Sequence, residues 1–123
     1  MAILGIFKTN AVTKQMYEEL RKEVDWEHQH PDGEALHVAA FNDSGNFCVA
    51  DIWESEEHLN NFINNRVLPA MKRINMPMPE GEIFQINNVS AFPAIDKYKV
   101  GLDETRILTE SLLIIFLQVF FWP

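Results

Sequence analysis

Residues 36–62, LHVAAFNDSGNFCVADIWESEEHLNNF, constrain the fold more than any other part of the chain. Two apolar segments flank Asp43-Ser44-Gly45, and the second segment runs directly into Ser55, a helix-capping residue. Two carboxylates, Glu56 and Glu57, follow, and negative side chains suit the positive end of a helix. The stretch therefore predicts a strand, a tight turn, a second strand and the start of a helix.

The turn also predicts how the two strands pair. If Gly45 takes the left-handed position of a three-residue hairpin loop, Asn42 lies opposite Asn46 and the register of every other pair follows. Side chains alternate between the two faces of a strand. One face then carries the pairs Leu36/Ile52, Val38/Ala50 and Ala40/Cys48, and the other carries His37/Asp51, Ala39/Val49 and Phe41/Phe47.

The flanking segments complete the pattern. Residues 2–7 form a short apolar strand, and Thr13 can cap a helix with Met16, Tyr17, Leu20 and Val24 on one side. The second helix presents an apolar stripe and should be bent or interrupted by Pro69. A last strand is expected from Ile83 to Val89. This order is the ferredoxin-like split βαβ arrangement (βαββαβ), an α+β fold with a four-stranded antiparallel sheet. The apolar stripe of the second helix consists of Leu59, Phe62, Ile63, Val67 and Met71.

Both faces of the predicted hairpin are apolar, although two helices can cover only one face of a sheet. The uncovered face predicts a partner, most simply a second copy packed sheet against sheet. We therefore expect a homodimer.

Composition limits the class of protein. A net charge of -8 without a Lys or Arg cluster argues against nucleic acid and against an anionic membrane surface. The single cysteine, Cys48, cannot form an internal disulfide, and the start of the sequence lacks the pattern of a secretory signal. These features indicate the cytoplasm.

The chain divides into an expected domain at residues 1–101 and an apolar extension at 102–123. The run ILTESLLIIFLQVFFW in the extension is shorter than the roughly 20 apolar residues that span a bilayer. Three interpretations stay open: a segment that packs on the domain or its partner, a weak membrane anchor, or residues from outside the natural gene.

Three segments carry a resemblance to a known family. The junction VADIWESEE at residues 49–57, with HVA at 37–39 and RVLPA at 66–70, resembles the dimeric α/β-barrel superfamily of antibiotic biosynthesis monooxygenase-like proteins, in a small uncharacterised branch. The resemblance implies a ferredoxin-like domain that pairs into a barrel. The superfamily includes cofactor-free oxygenases, haem-degrading enzymes, isomerases and proteins without known activity, so it leaves the chemistry open. The haem-degrading pattern of Asn, Trp and His is absent at the corresponding positions.

His37 and Asp51 are the best candidates for catalysis, because the predicted register sets them opposite each other. An imidazole oriented by a carboxylate can act as a general base on a phenol or an enol, without metal or other cofactor. Trp53, Tyr17, Phe62, Phe41 and Phe47 are the candidate ligand-binding residues. The alternative for His37 and Asp51 is a hydrogen-bonded polar pair that only satisfies its own buried groups.

The histidine-rich loop is a poor metal site. His28 and His30 have no further His or Cys at ligand spacing, and such loops are usually solvated. His58, in the first turn of the second helix, is expected at the surface. Two functions from different classes follow: a cofactor-independent, monooxygenase-like enzyme acting on a small aromatic or enolisable substrate, or a non-catalytic dimer that binds a small apolar ligand or is only structural.

Overall fold

The computed structural model describes residues 1–100 and confirms the predicted α+β fold. Its elements follow the order strand, helix, strand, strand, helix, strand. Thr13 caps the first helix as expected, because its hydroxyl accepts the backbone N–H of Met16 at 3.1 Å. The elements are β1 (Ile3–Thr9), α1 (Lys14–Val24), β2 (Glu34–Phe41), β3 (Phe47–Trp53), α2 (Glu56–Phe62), a π-helical turn (Ile63–Val67), α3 (Leu68–Ile74) and β4 (Glu80–Gln85).

The four strands form one antiparallel sheet in the order β2-β3-β1-β4. The hairpin has the predicted loop: Asn42 N–H donates to Asn46 O at 3.1 Å, and Gly45 has a φ of 80°. The predicted register between β2 and β3 is confirmed for all six pairs, from Leu36/Ile52 to Phe41/Phe47. A turn of fixed type therefore fixes which side chains share a face.

The second helix differs from a simple bent helix. Leu68 N–H donates to the carbonyl of Ile63, five residues earlier, so one turn is π-helical just before Pro69. Proline has no N–H, and its ring clashes with the carbonyl four residues before it, so a wider turn relieves the clash without ending the helix.

The last strand begins and ends earlier in the chain than the sequence predicts. β4 covers Glu80–Gln85 and pairs with β1 from Lys8/Glu80 to Ile3/Gln85. Because β1 begins at Ile3, the residues after Gln85 have no part of β1 to pair with. The exception is one hydrogen bond from Ile86 N–H to Ala2 O. Val89 consequently lies beyond the strand and is 57% exposed.

Within Met1–Ser90, the helices cover one face of the sheet and leave the other face open. Phe47, Val49, Asp51 and Trp53 alternate inward along β3 and are buried, whereas the residues between them are only half-buried. The covered face packs against an apolar core that includes Tyr17, Leu20, Val24, Trp26, Val67, Ala70, Met71 and Met76.

The chain divides into two compact units, and the first spans Met1–Ser90. The second begins at Ala91, and its described part contains a 3₁₀ helix at Pro93–Tyr98. No helix within residues 1–100 is long and apolar enough to cross a membrane. The expected extension at 102–123 lies outside the described residues, so its boundary and role stay predictions.

Two glycines test how tightly the start of β2 is packed. Gly33 and Gly45 both have φ near +80°, where an alanine costs about 1–2 kcal/mol. A Cβ on Gly33 would lie 2.5 Å from the His58 ring, whereas one on Gly45 would meet nothing within 4 Å among residues 1–100. We expect Gly33→Ala to lower the free energy of unfolding by about 1–3 kcal/mol more than Gly45→Ala, measured by urea denaturation. Equal losses would show that His58 moves freely.

Candidate functional site

A chain of hydrogen bonds links Asp51, His37 and Tyr17 on the covered face of the sheet. Asp51 Oδ1 lies 2.7 Å from His37 Nδ1, and the Tyr17 hydroxyl lies 2.8 Å from His37 Nε2. Asp51 is 7% exposed and Tyr17 is 8% exposed, and His37 between them is half-buried. The predicted pair therefore has a third member, contributed by a helix.

Two elements bring the three side chains together. The β2–β3 register places His37 directly opposite Asp51. Tyr17 comes from the buried face of α1, and its ring also lies 5.3 Å from that of Phe47 between centroids. Trp26 also packs against the imidazole, with ring centroids 4.9 Å apart. The imidazole is thus fixed by two hydrogen bonds and by aromatic packing.

The hydrogen bonds select one protonation pattern for neutral His37. A carboxylate only accepts, so Nδ1–H donates to Asp51, and Nε2 accepts the Tyr17 O–H. Burial lowers the pKa of His37, but the hydrogen bond and negative charge of Asp51 outweigh burial and raise it above its ordinary value. Burial also raises the pKa of Tyr17, so its hydroxyl stays protonated. The raised pKa makes His37 a stronger base than a free imidazole, and its Nε2 is in contact with the Tyr17 hydroxyl.

Glu34 is a fourth member of the site that strict alternation assigns to the wrong face. A β-bulge lies between Glu34 and Leu36, so two residues of β2 span one step of β3. The extra residue turns Glu34 onto the covered face with His37 and Asp51. The sequence does contain a signal for this bulge. Regular alternation would place the Glu34 carboxylate among the apolar side chains of Leu36, Val38 and Ala40.

The environment of Glu34 changes its ionisation. Burial and then the negative charge of Asp51 raise the pKa of Glu34 to about 7, although His37 and Arg66 oppose the shift. Near neutral pH this carboxyl is therefore protonated in a large fraction of molecules.

Within residues 1–100, one group offers three donor atoms that could hold a metal ion. The donor atoms of Glu34, His37 and Asp51 all lie within 4.8 Å of one another. His37 Nδ1 and Asp51 Oδ1 lie 2.7 Å apart, which is a hydrogen-bond distance. His28 and His30 are exposed, and His28 bonds to Asp25, in line with a solvated loop.

The polar residues form one wall of a small apolar cavity between the sheet and the helices, with a volume of about 70 Å³. Tyr17, Phe47 and Phe62 line this cavity, as do His37 and Asp51. Three methionines, Met71, Met76 and Met78, contribute flexible thioether side chains to the lining.

Two predicted ligand-binding residues lie elsewhere. Trp53 shares the face of Asp51 but is fully buried in a separate cluster with Ile3 and Leu59, and it does not line the cavity. Phe41 packs against Phe47, with ring centroids 5.0 Å apart, but it does not line the cavity itself. His58 is also less exposed than expected, because Ser55 Oγ binds its Nδ1 at 2.6 Å.

The arrangement suits proton transfer. A base held by a carboxylate, a hydroxyl in contact with that base and a carboxyl with a pKa near neutrality share one wall of the cavity, while the rest of the lining is apolar. The contribution of such groups to catalysis is largest where water is excluded.

Comparison with solved structures shows that the fold is that of antibiotic biosynthesis monooxygenase-like proteins. SnoaB, a cofactor-independent oxygenase from Streptomyces nogalater, aligns with a TM-score of 0.56 at 9% identity over 72% of this chain and 95% of its own. A candidate antibiotic biosynthesis monooxygenase from Chloroflexus aurantiacus J-10-fl aligns with a TM-score of 0.55 at 16% identity, over 74% and 98%.

A conserved protein from Methanosarcina mazei Go1 aligns with a TM-score of 0.56 at 15% identity, over 69% of this chain and 92% of its own. No protein-family model matches the sequence, and the comparison with curated proteins gives no match. The likenesses confirm the fold expected from the sequence resemblance and leave the chemistry to be argued from the site.

Proposed function

We propose that this protein is a cofactor-independent enzyme that removes a proton from a small aromatic or enolisable molecule bound in the cavity. The observation that carries the proposal is the Asp51–His37–Tyr17 hydrogen-bonded chain on the wall of an apolar cavity. If His37 and Asp51 only formed a buried hydrogen-bonded pair, that pair would not need a cavity beside it.

The size of the cavity limits the substrate. A cavity of roughly 150 Å³ is known to hold benzene, so about 70 Å³ suits a ligand of a few heavy atoms. Met71, Met76 and Met78 can change rotamer at low cost, which widens the range to a single ring. A substrate of several fused rings would require the helices to move.

The proton leaves the substrate through Tyr17. Neutral His37 Nε2 accepts a hydrogen bond from the Tyr17 hydroxyl, and Tyr17 lines the cavity, so its phenolic oxygen can take up the proton of a bound ligand. As the substrate O–H or C–H bond breaks, its proton joins the Tyr17 oxygen and the tyrosine proton moves to His37 Nε2. Asp51 stabilises the imidazolium that results.

A deprotonated phenol or quinol can then react with oxygen without a metal or a flavin. That SnoaB, which shares the fold, is a cofactor-independent oxygenase supports this course. The test is oxygen uptake and absorbance with a panel of single-ring phenols and quinols. We expect a rate that rises with pH as His37 becomes neutral and that is unchanged by EDTA. Loss of the rate with EDTA and its return with Mn²⁺ would contradict a cofactor-independent site and assign Glu34, His37 and Asp51 to a metal.

We also propose that the open face of the sheet joins two copies of the chain. Val38 and Phe84 are each 44% exposed on this face, which is a large apolar exposure for a free sheet. Cys48 lies among these residues as a free thiol, which suits the reducing cytoplasm proposed from composition. The face consists mainly of Leu4, Ile6, Leu36, Val38, Ala40, Cys48, Ala50, Ile52 and Phe84.

A charge on this face, introduced at Val38 on β2, should separate the copies. We expect wild-type protein to be a dimer in light scattering at micromolar concentration and Val38→Lys to be a monomer, because a buried unpaired ammonium is strongly unfavourable. Val89→Lys is the control, since Val89 is 57% exposed but lies outside the sheet. A monomeric wild type, or a Val38→Lys dimer, would contradict the proposed interface.

A further inference from the structure

Glu34 is the one carboxyl of the cavity wall that the proposed proton relay does not use. It lines the cavity directly, and within the described residues it makes no hydrogen bond or ion pair with another side chain. Its position depends on the bulge in β2, because regular alternation would turn it away from the cavity. Two residues of one strand, Glu34 and His37, therefore face the same small space.

The groups around Glu34 explain why it can hold a proton. Asp51 on β3 and Glu27 in the preceding loop disfavour its charged form, whereas His37 on β2 and Arg66 in the π-helical turn favour it. Arg66 also makes two other contacts. It donates a hydrogen bond to the carbonyl of Val24 at 2.9 Å, and its guanidinium lies over the Phe62 ring. Burial is the largest cause of the shift, the two carboxylates add to it, and the balance raises the Glu34 pKa to about 7.

We propose that Glu34 is a second proton-transfer group of the cavity, so that the site isomerises an enolisable carbonyl compound. This inference rests on the proposed function, because it uses the same relay as the base. A site that only prepares a phenol for oxygen needs one base. A site that moves a proton between two atoms of a substrate needs a base and an acid facing the same ligand, which is what Glu34 and the Tyr17–His37 pair provide.

The step balances without an oxidant. The C–H bond next to the carbonyl breaks, its proton joins the Tyr17 oxygen, and the tyrosine proton moves to His37 Nε2. At the same time Glu34 gives its carboxyl proton to the carbonyl oxygen, so that the product is a neutral enol, His37 is an imidazolium and Glu34 is a carboxylate. In the reverse direction Glu34 takes the enol proton back, and the relay delivers its proton to the same carbon or to a conjugated one.

The apolar lining favours this course over a free enolate. An enolate oxygen would place a new negative charge beside Asp51 in a space with few polar groups, where charge is poorly solvated. Proton donation from Glu34 removes that charge as it develops. Butanone and cyclopentanone have a few heavy atoms each and are suitable probes for a cavity of about 70 Å³.

The experiment measures exchange of the protons next to the carbonyl with D₂O, followed by ¹H NMR with the full chain. We expect wild-type protein to accelerate exchange over buffer, with a rate that falls at pH values above about 7 as Glu34 loses its proton. Glu34→Gln should slow exchange at least about tenfold and remove that decline, because an amide is neutral at every pH but does not give up a proton. Glu34→Asp should restore part of the rate.

Glu19→Gln is the matched control, because Glu19 is exposed on α1, lies outside the cavity lining and is not among the groups that shift the Glu34 pKa. Thermal melting of every variant shows whether it is folded. Wild-type rate and pH profile in Glu34→Gln would overturn the role of Glu34. If wild-type protein oxidises phenols but exchanges neither ketone, the isomerase inference fails and the proposed base stands. If it does neither, both proposals fail.

Discussion

His37→Ala is expected to lower the rate of proton removal by about 10²- to 10⁴-fold, the usual contribution of a general base. The variant removes the only acceptor in contact with the Tyr17 hydroxyl among the described residues, so the relay has nowhere to pass its proton. The raised pKa of His37 makes it a better base than a free imidazole, which places the effect toward the upper part of that range. Initial rates with the phenol and ketone probes measure the loss.

His28→Ala is the matched control for this variant. His28 is bonded to a carboxylate in the same way, with its Nδ1 2.6 Å from Asp25 Oδ1, but its side chain is 76% exposed in a loop away from the cavity. We expect wild-type rates for His28→Ala. If His37→Ala instead keeps its full rate and only lowers thermal stability, the His37–Asp51 pair is structural, and the protein is better described as a non-catalytic binding or structural dimer.

Trp53→Ala is expected to lower the free energy of unfolding by about 3–5 kcal/mol. Trp53 is 0% exposed and fills the cluster with Ile3 and Leu59, so its removal leaves a large void that the sheet and helix α2 cannot close. For a folded unit of this size, the loss lowers the melting temperature by more than about 10 °C. Calorimetry or urea denaturation measures it.

Trp53→Phe separates packing from hydrogen bonding at this position. The Trp53 Nε1 atom is buried and has no hydrogen-bond partner within residues 1–100. Phenylalanine keeps most of the ring volume and removes this unsatisfied N–H, so its loss of stability should be less than half that of Trp53→Ala. Equal losses of stability in Trp53→Phe and Trp53→Ala would indicate that the indole N–H forms a hydrogen bond in the folded protein.

Local rules predicted most of the fold because neighbouring residues determine it. Asp43-Ser44-Gly45 sets the turn, the turn sets the register, and the register brings His37 to Asp51. Thr13 and Ser55 mark the helix starts by capping free N–H groups. None of these steps requires knowledge of distant contacts.

The parts that were missed depend on tertiary structure. The bulge that turns Glu34 inward breaks the period of two on which face assignments rest. The bond from Tyr17 to His37 depends on how α1 crosses the sheet, which helical spacing alone does not specify. Trp53 lies on the predicted face but outside the cavity lining, where it packs with Leu59 and Phe62 of α2.

The central claim is that the cavity beside His37 takes up a small molecule. The most direct test is a titration of the full chain, labelled with ¹³C at its methionine methyl groups, with cyclopentanone. Met71, Met76 and Met78 line the cavity, whereas Met1 is 88% exposed and Met16 lies outside the lining. We expect the three cavity methyl signals to shift together and saturate while Met1 stays unchanged. Unchanged signals, or weak shifts of all five methionines alike, would contradict a ligand site in this cavity.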